Sequence, residues 1–247
     1  MPAFVQAKSI GEASVSATSK AVTMDAAVGS GNLLAGIVTW ATSTPSDLTS
    51  VTDDKGNSYT IVSAIADTGN NQSAASFYGK NLSGGPTVIT ANFGVSNNFK
   101  GLSVQEFSGL DTSAPLDGTN EQGQLQTSPG TGTDGVKSGA STQTPSVDNA
   151  VVFAGSVNTG ATGTGSQAFT PGTNFTEPSG AEWFTSGDVS LDSEYWLQGT
   201  ATAVNGSFTK AVDNSHITFQ MVFKPSGGAA DTYLISRRRQ TFFRAAQ

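Results

Sequence analysis

The alternation of apolar and polar positions predicts a chain built almost wholly of strands. The firmest segment is 33–40 (LLAGIVTW), apolar at nearly every position, which predicts a strand buried on both faces. It is short for a helix, and Gly36 would weaken one. The cleanest alternation is 217–223, with Ile217, Phe219, Met221 and Phe223 inward and Thr218 and Gln220 outward. Further strands are predicted at 48–52, 59–65, 73–81, 87–93, 101–107, 150–157, 189–197 and 201–208, with Tyr59, Ile61 and Ile65 on one face. Weaker signals lie at 4–5, 15–18 and 21–24, and turn residues such as Asp53-Asp54-Lys55-Gly56-Asn57 and Gly84-Gly85-Pro86 punctuate the series. From 110 to 147 the pattern thins, and 122–146, almost wholly Gly, Ser, Thr, Gln and Pro, reads as a long loop with one edge strand at 136–141. A second loop, 158–180, has Phe169 and Phe175 as its anchors. The expectation is an antiparallel β-sandwich of about twelve strands, with no helix and no exact internal repeat.

Composition agrees with that reading. The chain has 247 residues, enough to bury a core without staples, and only 13% are charged, too few for a solvated disordered chain. With no cysteine, disulfides, thiolate metal sites and thiol catalysis are excluded. Residues 1–11 (MPAFVQAKSIG) lack a basic segment followed by an apolar one, and no apolar run reaches the roughly 18–20 residues of a membrane span. An outward-facing composition without an export signal fits virion components, made in a host cytoplasm.

Charge divides the chain. Residues 1–230 carry eight lysines against eighteen Asp and Glu, a formal −10; residues 231–247 (DTYLISRRRQTFFRAAQ) carry every arginine against one Asp, a formal +3. The expected organisation is therefore a sandwich over 1–224, a linker over 225–230 (PSGGAA) and a basic, aromatic arm over 231–247.

Four stretches together resemble a β-sandwich module of bacterial cell-surface proteins and phage-encoded structural proteins: 31–40 (GNLLAGIVTW), 50–60 (SVTDDKGNSYT), 77–89 (FYGKNLSGGPTVI) and 106–118 (EFSGLDTSAPLDG). The likeness spans about residues 13–158, more loosely to 224, and leaves the arm uncovered. It implies a jelly-roll-like or immunoglobulin-like sandwich used for display, adhesion or binding. Its motifs are strand-and-turn grammar, and it carries over no catalytic residue.

Chemical candidates are few. His216 is the only histidine and stands at a strand start, which reads as a surface or strand-end residue and not as part of a Ser–His–Asp triad. Multi-histidine metal sites are excluded. Glu106, Glu182, Asp192 and Glu194 are the carboxylates that could hydrolyse sugars. Asp192 and Glu194 share a strand face with Trp196, about 7 Å apart at ~3.3 Å per residue; a solvated outer face looks the same. Calcium could sit in the turns at Asp53/Asp54/Asn57 or Asp111/Asp117, where Asx turns are the ordinary explanation. Trp40 reads as core, while Trp183 and Trp196 could contact a glycan, Trp183 being the more exposed. Asn71, Asn81, Asn174 and Asn205 begin glycosylation sequons that a chain rich in Asn, Ser and Thr produces by chance.

The arm carries the partner-binding candidates: Tyr233, Leu234, Ile235, Arg237, Arg238, Arg239, Phe242, Phe243 and Arg244. Exposed arginine pairs contribute roughly 0–1 kcal/mol each and burying a phenylalanine about 1.5–3 kcal/mol, against about 1–2 kcal/mol per residue to order the arm. A lasting anchor therefore needs backbone pairing too, such as 233–236 adding a strand to a partner's sheet. The acidic body argues against nucleic acid. The expected function is a non-enzymatic phage virion protein (capsid decoration, cement or appendage). It would be multi-copy or homo-oligomeric, cofactor-free, located on the virion, and attached to a capsid or other virion protein. The alternative is a carbohydrate-binding or adhesive module on a bacterial surface.

Overall fold

The computed structural model describes residues 1–12, 14–127, 132–137, 142–159, 169–184, 190–210 and 215–227; the arm, 231–247, lies outside them. Among these residues are sixteen strands and one 3-10 turn, Pro45–Asp47. In chain order the first eight are β1 (Ala3–Glu12), β2 (Ala17–Thr23), β3 (Leu33–Trp40), β4 (Leu48–Asp53), β5 (Tyr59–Asp67), β6 (Gln72–Gly79), β7 (Val88–Asn97) and β8 (Lys100–Ser108). The second eight are β9 (Leu116–Gln126), β10 (Gly132–Lys137), β11 (Val151–Asn158), β12 (Phe169–Thr170), β13 (Trp183–Phe184), β14 (Ser190–Leu197), β15 (Ser207–Lys210) and β16 (His216–Phe223).

These strands form four antiparallel sheets. The first eight make a five-stranded sheet, β1-β8-β3-β6-β5, and a three-stranded sheet, β2-β7-β4. The second eight make β9-β16-β11-β14-β13 and β10-β15-β12. Adding eight to every label of the first set reproduces the second, so the strand order repeats although the amino-acid sequence shows no repeat. Register aligns the two sets: Leu33 faces Phe107 across β3 and β8, as Val151 faces Phe223 across β11 and β16.

The sheets stack as three, five, five and three strands. The two five-stranded sheets meet in a shared core of Leu33, Ala35, Ile37, Phe107, Phe153, Ile217, Phe219, Met221 and Phe223, all 0–1% exposed. Gly155 is required there, because a Cβ would come within 2.8 Å of Ile37. Ring contacts across this core are reciprocal. Tyr78 meets Phe223 at 5.6 Å and Tyr195 meets Phe107 at 5.7 Å, and the register makes Tyr78 the counterpart of Tyr195 and Phe107 that of Phe223. Such an exchange of equivalent contacts is the pattern of a two-fold interface between like bodies. A second core, with Leu34, Val38, Trp40, Phe77, Leu102, Val104, Ile89 and Phe93, fills the space between the first five-stranded sheet and its three-stranded cover.

Coarsely, the expected all-β antiparallel sandwich is what the chain forms. The strand at 33–40 lies where expected and is buried throughout, because both of its faces are covered. Four expectations differ. Sixteen strands replace about twelve, since β9 is polar yet pairs with β16 through backbone bonds that need no apolar side chain. β15 begins at Ser207, leaving most of 201–208 without strand pairing beyond a bridge at Val204. A bulge between Ile61 and Ser63 turns Tyr59 and Ile61 toward one core but Val62 and Ile65 toward the other. Thr218 and Gln220, expected to face outward, are buried because β10, β15 and β12 cover that face. The start of the expected linker is held as well: Pro225 bridges Leu110, and the Ser226 N–H donates to the Gly109 carbonyl at 2.8 Å.

Candidate functional site

The strongest chemical concentration among the described residues is the interlayer between the second five-stranded sheet and its cover. Side chains alternate along β11, β14 and β16, and pairing brings their cover-facing positions into rows, eight of the nine polar: Ala154 with Glu194 and Gln220, Ser156 with Asp192 and Thr218, Asn158 with Ser190 and His216. All are 0–2% exposed. The corresponding rows of the first sheet are Gly36 with Phe77 and Val104, and Val38 with Ala75 and Leu102. Positions that are apolar core in one set of strands are thus polar in the other, beside smaller apolar clusters around Phe169 and Phe208 and around Val152, Val204 and Val222.

Part of this polarity is satisfied locally. The Ser156 and Thr218 hydroxyls lie 3.1 Å apart, Gln220 Oε1 accepts the Gly206 N–H at 2.7 Å, and Glu194 Oε2 accepts the Gly172 N–H at 2.8 Å. Among the described residues no hydrogen bond of good geometry reaches either Asp192 oxygen or Glu194 Oε1. Burial pushes the Asp192 carboxyl up to about 9; the Glu177 and Glu182 charges add to it, while the Ser193 amide pulls the other way. Burial also carries Glu194 to about 9, against the Gly172 and Ser207 amides that pull it down. At neutral pH both carboxyls are therefore held in the uncharged form. The two do share one strand face, as expected, but that face is enclosed between sheets instead of lining a solvated or concave surface. His216 is likewise fully buried, not on the surface.

The other candidates are placed as follows. Glu106 is fully buried and accepts three donors, Gln6 Nε2 at 2.6 Å, the Gly29 N–H at 2.8 Å and Asn32 Nδ2 at 2.5 Å, which ties the 29–32 turn to β8. Glu182 is half-buried, and burial raises its carboxyl. Trp40 is core, as expected. Trp183 is half-buried and lies over Gly11 and Gly101, where a Cβ would meet its ring at 1.9 and 3.3 Å, so its face is covered by backbone that only glycine allows. Trp196 meets Phe175 at 6.0 Å on the cover side of β14. Trp183 packs against the shared core on the opposite side, so the two tryptophans do not form one platform.

In the acidic turns, the carboxylates hold backbone. Asp53 accepts the Lys55 and Asn57 amides, Asn57 Nδ2 and the Tyr59 hydroxyl; burial raises its carboxyl, but these donors outweigh that and lower it. Asp54 accepts the Thr87 and Val88 amides, which lower it far. Asp111 takes the Ser113 and Ala114 amides, and Asp117 takes both the amide and the hydroxyl of Ser146. Among the described residues no group of three His, Asp or Glu side chains is placed to hold a metal. Asn71, Asn81 and Asn174 have φ of 51°, 50° and 73°, which asparagine tolerates better than most residues; turn geometry therefore accounts for them.

Sequence reasoning singled out Asp192 and Glu194 but missed Ser156, Thr218 and Gln220, whose part in the same layer depends on which strands pair. The partner-binding candidates Tyr233, Leu234, Ile235, Arg237, Arg238, Arg239, Phe242, Phe243 and Arg244 lie outside the described residues.

No family model matches the chain, and no curated protein does. Among solved structures, a chain titled "Cucumber Leaf Spot Virus" aligns over 93% of this chain and 92% of its own, at 11% identity and a TM-score of 0.25, a likeness that assigns no function. The conclusion that stands on fold and site together is coarse: this is an all-β protein of stacked antiparallel sheets with a polar layer buried inside its second set of strands.

Proposed function

We propose that the protein is a phage virion structural component, non-enzymatic, present in many copies as a capsid decoration, cement or appendage protein, and attached through its C-terminal arm to a capsid or other virion protein. The observation that carries this reading is the complete segregation of charge, a −10 body followed by a +3 arm bearing every arginine and the Phe242-Phe243 pair. Strand order supports a display scaffold. In each set the first strand pairs with the last, and the order β1-β8-β3-β6 opposite β2-β7-β4 favours a jelly-roll-like reading, although β5 lies beside β6. The enclosure of Asp192 and Glu194 favours a structural role over sugar hydrolysis. On this reading the protein needs no cofactor, membrane or nucleic acid, and it resides on the virion.

Deleting 231–247 tests the reading. Particle association is expected to be lost while the circular dichroism of the body is unchanged; full incorporation of the truncated chain would remove the arm as the anchor.

A further inference from the structure

The described chain ends beside its own beginning. The Ser226 N–H donates to the Gly109 carbonyl, and Gly109 in turn lies so close to the N-terminus that a Cβ there would come within 2.6 Å of the Met1 carbonyl oxygen. Met1 and Pro2 form one wall of a depression of about 240 Å³ whose other lining residues are Asn149, Leu197, Gln198 and Gly199. Two of the six exposed large hydrophobic side chains among the described residues stand there, Met1 at 99% and Leu197 at 41%. Residues 228–247 therefore start next to an apolar depression that nothing in the described chain fills. A volume of that size suits one or two side chains rather than a drug-sized ligand.

We propose that this depression receives the chain's own arm, with Leu234 of the 233–235 segment seated against Met1, Pro2 and Leu197. Reach favours this segment: at about 3.3–3.6 Å per residue, the six residues beyond Gly227 extend roughly 20 Å, ample for a groove adjoining the exit point. Proximity favours the same molecule over a second copy, because a short tether makes the local concentration of the arm very high. Charge agrees in sign: Asp148, exposed and next in sequence to the lining residue Asn149, is acidic, and Arg237–Arg239 are basic. The arm is thereby stowed on its own body, leaving Phe242 and Phe243 as the part that can engage a partner first. This inference goes beyond the virion reading and does not need it.

Limited trypsin digestion of the full chain, free of any particle, tests it, with cleavage at Arg237–Arg239 followed by mass spectrometry. Wild type is expected to be cut at least about tenfold more slowly than Leu197→Asp, which changes only the groove, and Leu234→Asp, which changes only the arm. Circular dichroism establishes that Leu197→Asp is folded, and Leu234→Asp gives the same readout without touching the body. Equal cleavage in all three chains overturns the proposal. So does protection that grows with protein concentration, which would mean exchange of arms between copies. Because particle attachment is measured separately by the 231–247 deletion, failure of one leaves the other standing.

Discussion

The two sets of eight strands share one topology and differ in what fills the space under their outer sheets. Beneath β2-β7-β4 the filling is apolar: Val38, Phe77, Leu102 and Val104 are all fully buried. Beneath β10-β15-β12 the same register positions hold Ser156, Glu194, Thr218 and Gln220, also fully or almost fully buried. Burying apolar surface stabilises by roughly 25 cal/mol per Å², whereas a buried polar group without a partner costs about 1–3 kcal/mol. The polar positions of the second interlayer therefore contribute less to holding its outer sheet than their apolar counterparts do in the first, and attachment falls to the apolar clusters beside them, Ala154 with Phe169 and Phe208, and Val152 with Val204 and Val222. Topology and stability have been separated in this molecule: strand order is kept while the interlayer chemistry is changed.

The harshest test imposes the second set's residue on the first. Phe77→Glu places at the counterpart of Glu194 a carboxylate inside the apolar cluster of the first set, beside Gly36 and Tyr59, with none of the amides that serve Glu194. An uncompensated buried charge costs about 3–5 kcal/mol, and the lost phenylalanine adds to it. Soluble yield and near-ultraviolet circular dichroism should both collapse. A normally folded Phe77→Glu protein would mean that the apolar and polar layers are interchangeable.

Next in size is Phe223→Ala in the shared core. Its ring meets Tyr78 of the first set, so its loss should cost about 3–5 kcal/mol and lower the stability of both sets together in one calorimetric transition. Two separated transitions, with only one shifted, would show that 1–224 does not unfold as one unit.

The third test uses pH. Unfolded, an aspartic acid titrates near about 3.9, while folded Asp192 is pushed up to about 9. Between those values the native state holds a proton that the unfolded state has lost, so Asp192 contributes stability below its unfolded pKa that is lost progressively as pH rises toward its folded one. Asp192→Asn removes the proton exchange and keeps the shape. It should stabilise the protein by up to about 4 kcal/mol at pH 7, with the gain shrinking to nothing near pH 4. A thermal melt series across that range reads it, and a pH-independent difference would mean that Asp192 is charged in the native state.

These tests also mark what could be read from the amino-acid order. β3 was legible because a continuous apolar run has one economical place, between two layers. The alternation of β16 was legible as a strand but misleading about exposure, since Thr218 and Gln220 look solvent-facing until a further sheet is known to cover them. β9 was illegible because an edge strand pairs through backbone, and its Gly and Gln residues resemble a loop. The repeat was hidden for the same reason that makes it informative: Phe77 and Glu194, or Ala75 and Asp192, are counterparts in register and opposites in chemistry. Asp192 and Glu194 were identifiable as a pair, but their burial follows from strand pairings that no local pattern encodes.

The smallest effect concerns the β4–β5 turn, where the first set holds a carboxylate among donors at a partly buried site. Asp53 is partly buried and gathers two backbone amides, Asn57 Nδ2 and the Tyr59 hydroxyl. Asp53→Ala should cost about 1–2 kcal/mol at pH 7, the net worth of a few hydrogen bonds at a partly solvated site. Its pH dependence is opposite in sense to that of Asp192, because its carboxyl is lowered. The stability it contributes is present above the usual carboxylate range and is lost as pH falls through the folded pKa, so wild type and Asp53→Ala should converge in acid. Asp192→Asn also loses its effect toward pH 4, but there the change is a vanishing gain and here a vanishing loss. Opposite signs at pH 7 that merge in acid would show that the two sets of strands place carboxylates in opposite environments. Equal signs would mean that Asp192 is solvated and that the polar layer is open to water.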